Sequence, residues 1–427
     1  MWQFCPTAGQ EKVEVHALTF QSELISLIGF AVILSIFVYF KRHKAELQKV
    51  IWPVIGFIQL PLLYVFLFKT GVGLKFMDRV ASKWRGLLKL IGYSGVGFAF
   101  VGAFFIGINL IWALVNFLKA PATTETGVTL VLPLTTVPGL GFISFWYWII
   151  TLFVLVVVHE FAHGILMRVH NVKVKSSGFG FVGVVAPIIP LAFVEQDQKE
   201  LEKKEGIVQH SIFAAGPMAN ISLAIILLII FANPFGPNLQ EHFDTKFTEP
   251  KGFSVDITDP SYPAGLAGMT NGTIITSYNG QVIEGYQTFV NDMFYCIEPG
   301  DTVVLGTDRG DYALTTIPSP DDESKGFIGI HNIKDERVFK PEYQHLEGAY
   351  LWVKGLIRFM ILLNFLIGLA NFIPIFMTDG AQMFRVALLE SMKNKKRAIA
   401  IWYWLNMVFV ALLIILLGST YLKALIP

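Results

Sequence analysis

The sequence predicts a polytopic α-helical membrane protein of about six to seven hydrophobic segments, with a membrane-dipping β-hairpin and an inserted small β-rich soluble domain. Three observations carry this. Of 427 residues, 54% are hydrophobic and only 15% charged, and the mean hydropathy is +0.57; soluble domains carry roughly 25% charged residues. Long uncharged stretches recur along the chain, and one polar region, 236–350, interrupts them. The net charge of +1 gives no basic field for nucleic acid, and the pair Cys5 and Cys296 makes no disulfide framework.

A helix crossing the hydrocarbon core needs about 20 mostly apolar residues. Stretches of suitable composition are Leu24–Phe40, Val50–Phe68, Leu90–Leu118, Ile143–Val158 (continuing to Arg168), Ser211–Phe231, Phe359–Met377 and Ala398–Leu422. Residues 1–23 lack the short apolar region and cleavage site of a secretory leader. Lys and Arg in short loops set orientation. The loops 69–89 and 385–397 are rich in both and read as cytoplasmic, which places 119–142 and the polar region 236–350 outside. Lys41, Arg42, Lys44 and Lys49 fit this only if Val50–Phe68 does not cross, and Pro53, Gly56 and Pro61 make it a re-entrant or interfacial piece.

Ser177–Asp197 is apolar but broken by Gly178, Gly180, Gly183, Pro187 and Pro190. Its β-branched and aromatic residues favour strands, in a hairpin dipping into the membrane; such backbone is tolerated at depth where protein or a wet cavity surrounds it. In 236–350, Asn271-Gly272, Asn279-Gly280 and Pro299-Gly300 separate Val-, Ile-, Tyr- and Thr-rich runs, the signature of a small β domain.

His159-Glu160-Phe161-Ala162-His163 is an H-E-x-x-H motif inside an apolar run. Residues four apart lie one turn apart on the same helix face, so both imidazoles can reach one zinc ion while Glu160 points to a neighbouring edge. Random placement gives roughly 0.01 such patterns per chain. Two histidines and a glutamate in a membrane segment are costly unless they face a functional interior. A catalytic zinc takes three protein ligands and keeps an open position. Asp379, in Asn371-Phe-Ile-Pro374-Ile-Phe-Met-Thr-Asp379-Gly380 at the end of a broken span, is the best third ligand.

These residues resemble the site-2 protease family of zinc intramembrane metalloproteases. His159, Glu160 and His163 match its H-E-x-x-H, and Asn371, Pro374, Asp379 and Gly380 match its N-x-x-P-x-x-x-x-D-G, with Thr378 where the family usually has Leu. Gly216, Pro217 and Asn220 match its G-P-x-x-N. The resemblance implies Zn2+ held by His159, His163 and Asp379, water activation by Glu160, and a membrane-spanning segment of another protein as substrate. It implies substrate contacts for Asn371, Asn220 and Pro374, with interhelical hydrogen bonding an equal reading for Asn220.

The run 261–280 is similar to the PDZ domains carried by this family, with Thr273 in place of the usual Asp. That resemblance implies a PDZ-like domain over 245–335 that binds a peptide or free C-terminus, or gates substrate. The remaining parts are an N-terminal hydrophobic region, 1–120, and two catalytic membrane segments, 143–235 and 352–427. The expected partners are the bilayer and a membrane-spanning substrate, with no nucleic acid. The expected active site lies near the cytoplasmic side and the PDZ-like domain outside. Two other readings stay open: a catalytically idle scaffold with a structural metal, and a metal transporter, against which no second copy of the motif is seen.

Overall fold

The computed structural model describes residues 11–41, 46–51, 59–120, 128–137, 141–183, 187–232, 236, 238–283 and 297–423. The chain forms two units, Met1–Leu228 with Gly355–Pro427, and Ile229–Lys354. Among the described residues, six helical stretches are long and apolar enough to cross a membrane: Phe20–Lys41, Arg85–Lys119, Phe145–Val169, Gly206–Ala232, Pro341–Ala370 and Lys395–Thr420. The protein is an integral membrane protein.

The first unit begins with α1 (Glu11–Lys41), β1 (Glu46–Ile51), β2 (Gln59–Thr70), α2 (Leu74–Lys83) and α3 (Arg85–Lys119). After two short strands, β3 (Thr136–Val137) and β4 (Gly141–Phe142), come α4 (Phe145–Val169), β5 (Val174–Gly183), β6 (Pro187–Gln196), α5 (Gln198–Glu202) and α6 (Gly206–Ala232). Val50–Phe68 is thus not a crossing helix. Its described part falls in β1 and β2, which pair antiparallel with each other, and β2 pairs with β5 to make a four-stranded sheet ordered β1-β2-β5-β6. Pro53 and Gly56 lie outside the described residues. An apolar run in a paired strand satisfies its backbone across the sheet, so hydropathy alone cannot separate it from a span.

The α4 helix is fixed from several directions. Ser144 stands at its N-cap position with extended backbone. The cap comes from α1: the Glu23 carboxylate accepts hydrogen bonds from Ser144 Oγ at 2.7 Å and from the Phe145 N–H at 3.1 Å, where an anion also complements the helix dipole. Fully buried Phe145 packs in a cluster with Trp148, Ile149 and Leu155 of α4. Farther along α4, Met77 of α2 is fully buried at the level of Gly164. Leu166 and Met167 pack with Val208, Ile212 and Ala215 of α6.

The second unit is β-rich. It holds α7 (Leu239–Phe247), β7 (Thr248–Ile257), the short helix α8 (Pro263–Leu266), β8 (Thr273–Tyr278), β9 (Gln281–Val282), β10 (Thr302–Thr307), β11 (Gly310–Thr315), the small pair β12 (Ile317–Pro318) and β13 (Gly326–Phe327), and β14 (Ile330–Phe339). The main sheet runs β11-β10-β8-β7-β14, with β9 paired to β8. Asn279 and Gly280 both take positive φ, 49° and 79°, in the tight turn between β8 and β9, the geometry that Asn-Gly favours in hairpins. Phe253, Val255, Ile275, Val303, Leu305 and Leu314 form the centre of its apolar core.

The chain then returns through α9 (Glu347–Ala370), α10 (Asp379–Ser391) and α11 (Lys395–Lys423). The expected segment Phe359–Met377 is only partly helical: α9 stops at Ala370, and 371–378 is a loop leading into α10. Phe359 and Leu363 of α9 join the α4 cluster around Phe145, while Phe372 and Met383 pack with Ala99 of α3 and Ala214 of α6.

Candidate metal centre

The one-turn spacing of His159 and His163 on α4 puts their Nε2 atoms 3.1 Å apart. The loop between α9 and α10 brings the Asp379 carboxylate to both, with Oδ2 3.0 Å from His159 Nε2 and Oδ1 3.3 Å from His163 Nε2. All three side chains are largely shielded from solvent. The spacing of these donor atoms approaches the edge of about 3.3 Å expected for a tetrahedron of ligands around zinc.

The far nitrogens of the two rings say what the near ones offer. His163 Nδ1 lies 2.7 Å from the Ile212 carbonyl of α6. A carbonyl only accepts, so Nδ1 carries a proton, and in the neutral ring Nε2 keeps its lone pair. Asn220, fully buried on α6, reaches His159 Nδ1 at 3.3 Å through its amide, whose Nδ2 end faces the ring while Oδ1 has no partner among the described residues. The two amide ends have the same shape. With Nδ2 toward the ring the amide donates to Nδ1, and with Oδ1 toward the ring it would accept an Nδ1 proton, so the amide orientation and the His159 tautomer are set together. With both rings neutral and protonated on Nδ1, their Nε2 lone pairs face the Asp379 carboxylate, and these three groups could hold one metal ion. Such outer partners fix ring orientation around metals.

Room for a cation is built into α6. A Cβ on Gly216 would lie 2.4 Å from His163 Nε2 and 2.6 Å from His159 Nε2, so a side chain here would fill the space in front of both rings. The next residue, Pro217, has no N–H and withdraws the helical donor from the Phe213 carbonyl.

The Asp379 loop is held by its own short contacts. Thr378 caps α10, its Oγ1 accepting from the Ala381 N–H at 3.2 Å and donating toward the Ile373 carbonyl at 2.5 Å. A leucine could do neither. The Gly380 N–H donates to the Asn371 carbonyl at 2.8 Å, and a Cβ there would meet Phe372 O at 2.1 Å, which explains glycine after the aspartate. Asn371 donates its amide to Ile367 O at 3.1 Å, closing the end of α9.

A cavity of about 540 Å³ opens at these residues. It is lined by His159, Glu160, His163, Asn371, Met377 and Asp379, and along one wall by Leu191, Ala192, Val194 and Gln196 of β6. Glu160 stands beside the ligands, its Oε2 accepting from the Val194 N–H at 3.0 Å. Of the residues expected at the site, His159, Glu160, His163, Asn371 and Asp379 thus share one cavity. Pro374 is buried in the loop and Asn220 lies behind His159; neither lines the cavity. The sequence reading gave no role to Gly216, Val194 or the Ile212 carbonyl. A glycine between Ala215 and Pro217 was the available signal for the first, and backbone contacts leave none.

One of the six helical stretches long and apolar enough to cross a membrane, α4, carries the H-E-x-x-H pattern known from metalloproteases. The chain matches the model of Peptidase family M50 over residues 147–305 and 315–416. It belongs to this family, which is one of membrane metalloproteases. It is also 27% identical over 336 residues to the uncharacterized protein MJ0971 of Methanocaldococcus jannaschii, a similarity covering 77% of this chain and 79% of that protein. Residues 1–146, with Glu23, β2 and α2, lie outside the family match.

Proposed function

We propose that this protein is a zinc-dependent intramembrane endopeptidase that cleaves membrane-spanning segments of other proteins. The observation that carries the reading is the convergence of His159, His163 and Asp379 in a cavity that also holds Glu160 and one edge of β6. His159, His163 and Asp379 would hold the ion. When bound, zinc supplies Lewis acidity toward a carbonyl oxygen and toward water.

The rest of the chemistry belongs to side chains and backbone. Glu160 takes the proton of the attacking water on its carboxylate and returns it to the departing amide nitrogen. Ile212 and Asn220 hold the two imidazoles in the tautomer that faces inward. A transmembrane helix shields its peptide bonds, so the substrate must be extended to be cut, and strand addition to β6 is a way to hold it. Asn371 and Met377 lie on the cavity wall, where a bound strand would meet them, and Pro374 acts by shaping the loop. In this reading the β5–β6 hairpin lies at membrane depth, and water reaches the centre from the cytoplasmic side, on which the basic loops fall. The β-rich unit is a divergent PDZ-like domain on the external side, binding a peptide or C-terminus or gating large substrates.

Glu160 disfavours the scaffold reading, because a structural metal needs no base and is closed by four protein ligands rather than three. The test is zinc content and cleavage of a membrane-spanning substrate, both with purified full-length protein in lipid vesicles. Wild type should hold about one zinc and cleave; His159→Ala should lose both. Glu160→Gln should keep the zinc and lose cleavage by at least about 100-fold. Cleavage by Glu160→Gln at the wild-type rate would remove the assignment.

A further inference from the structure

We infer that the backbone N–H of Val194 is the positioning donor for the Glu160 carboxylate, and that β6 therefore receives a substrate strand through Ala192 and the Val194 carbonyl, with the Val194 N–H withheld. This rests on the reading of Glu160 as the base and names how the same site orients it.

The argument starts from the sheet. In the order β1-β2-β5-β6, β6 is an edge, with no strand on its far side among the described residues. Alternate residues of an antiparallel edge strand turn their N–H and C=O toward the neighbour and the others turn them outward. The N–H of Val194 reaches Glu160 at 3.0 Å, so Val194 belongs to the outward set. Its register partner on β5 is Ser177, and the pairing runs without irregularity through Phe179↔Ala192 to Phe181↔Pro190. Ala192 and Pro190 are therefore outward too. Proline at 190 agrees with this, because an outward position needs no ladder donor.

Ala192 and Val194 both line the cavity. An incoming strand would ordinarily find an N–H and a C=O on each of them. Here the Val194 N–H is already engaged by the carboxylate, so the peptide group beside Glu160 carries the base while the one two residues earlier carries the substrate. One strand thus sets both the line of the substrate and the direction of the base. The carboxylate also gains a charge-assisted bond that keeps it at the edge of the cavity, off the space enclosed by His159, His163 and Asp379.

The first test needs no activity. In residue-resolved deuterium exchange on the detergent-purified full chain, the Val194 amide should be protected in the wild type. In Glu160→Ala it should exchange roughly tenfold faster or more, the size expected for a hydrogen bond to a charged group, while the ladder amide of Phe193 stays unchanged. Equal exchange at Val194 in the two proteins would overturn the inference.

The second test compares Val194→Pro, which removes the N–H, with Val194→Ala, which removes the side chain and keeps it. Relative to Val194→Ala, Val194→Pro should lose kcat by about tenfold or more with KM and zinc content retained. Equal kcat in the two variants would overturn the positioning role. Should wild type and Glu160→Gln cleave alike, the reading of Glu160 itself fails, and the inference falls with it even where the exchange result stands.

Discussion

Two shielded carboxylates, one in each unit, are treated in opposite ways. Asp244 on α7 of the β-rich unit is answered from within its own unit. Lys354 Nζ donates to both of its oxygens, at 2.9 and 3.0 Å, and the Tyr350 hydroxyl donates at 2.6 Å. Asp379 in the membrane unit is about as shielded, but its neighbours are the Nε2 atoms of two imidazoles whose far nitrogens meet the Ile212 carbonyl and the Asn220 amide. A carboxylate whose donors come from the chain holds structure together. One that faces two imidazole nitrogens is placed to share an ion with them.

That contrast can be broken most severely at Asp379. Asp379→Asn removes the charge and one ligand oxygen, and should weaken zinc binding by more than the 10–100-fold typical of an outer partner. Elemental analysis and competition with a chelator measure this, and tight zinc retention would show that the carboxylate is not a ligand. Asn220→Ala should come next. If the amide oxygen holds His159, its loss should weaken zinc binding by about 10–100-fold while leaving the ion count near one at saturating zinc. Unchanged affinity would return Asn220 to a helix-packing role.

The smallest effect is expected at Asp244. Asp244→Asn should cost the β-rich unit about 1–3 kcal/mol and leave zinc binding unaltered, read as denaturant unfolding of that unit against metal content. The pH dependence has a definite sign. Burial pushes the Asp244 carboxyl up, but Lys354 and Tyr350 draw it down further, to below its ordinary value of 3.8. A group whose folded value is depressed contributes stability above its unfolded value and loses it as pH falls through the folded one. The wild-type β-rich unit should therefore lose this contribution below about pH 4, and the Asn variant should lack that component.

The candidate metal ligands are legible in the sequence to different depths. His159 and His163 could be paired from spacing alone, because four residues on a helix is itself a geometry. Asp379 lies more than 200 residues away, and its approach to them depends on where α9 ends; only the Asn371–Gly380 pattern pointed to it. The β1 and β2 strands were hidden because a run such as Leu60–Phe68 has the hydropathy of a span whether lipid or another strand covers it. The signal against a span was electrostatic, in Lys41 through Lys49. Contacts made by backbone, as at Val194 and Ile212, have no residue type that announces them. The cap from Glu23 to Ser144 joins groups 121 residues apart, and neither residue is unusual where it stands.

The pairing of β2 with β5 has a consequence for how the protein is made. Thr70 and its partner Ser177 are separated by 107 residues, a stretch that takes about 5–20 s to synthesise. Throughout that interval β2 has been translated and β5 has not, so one side of an apolar strand bearing Phe66 and Phe68 waits for its neighbour. Open strand edges of this kind invite wrong pairing. β2 must therefore be kept from other partners until β5 is made, and the cavity at His159 can be completed only after Asp379 has been translated.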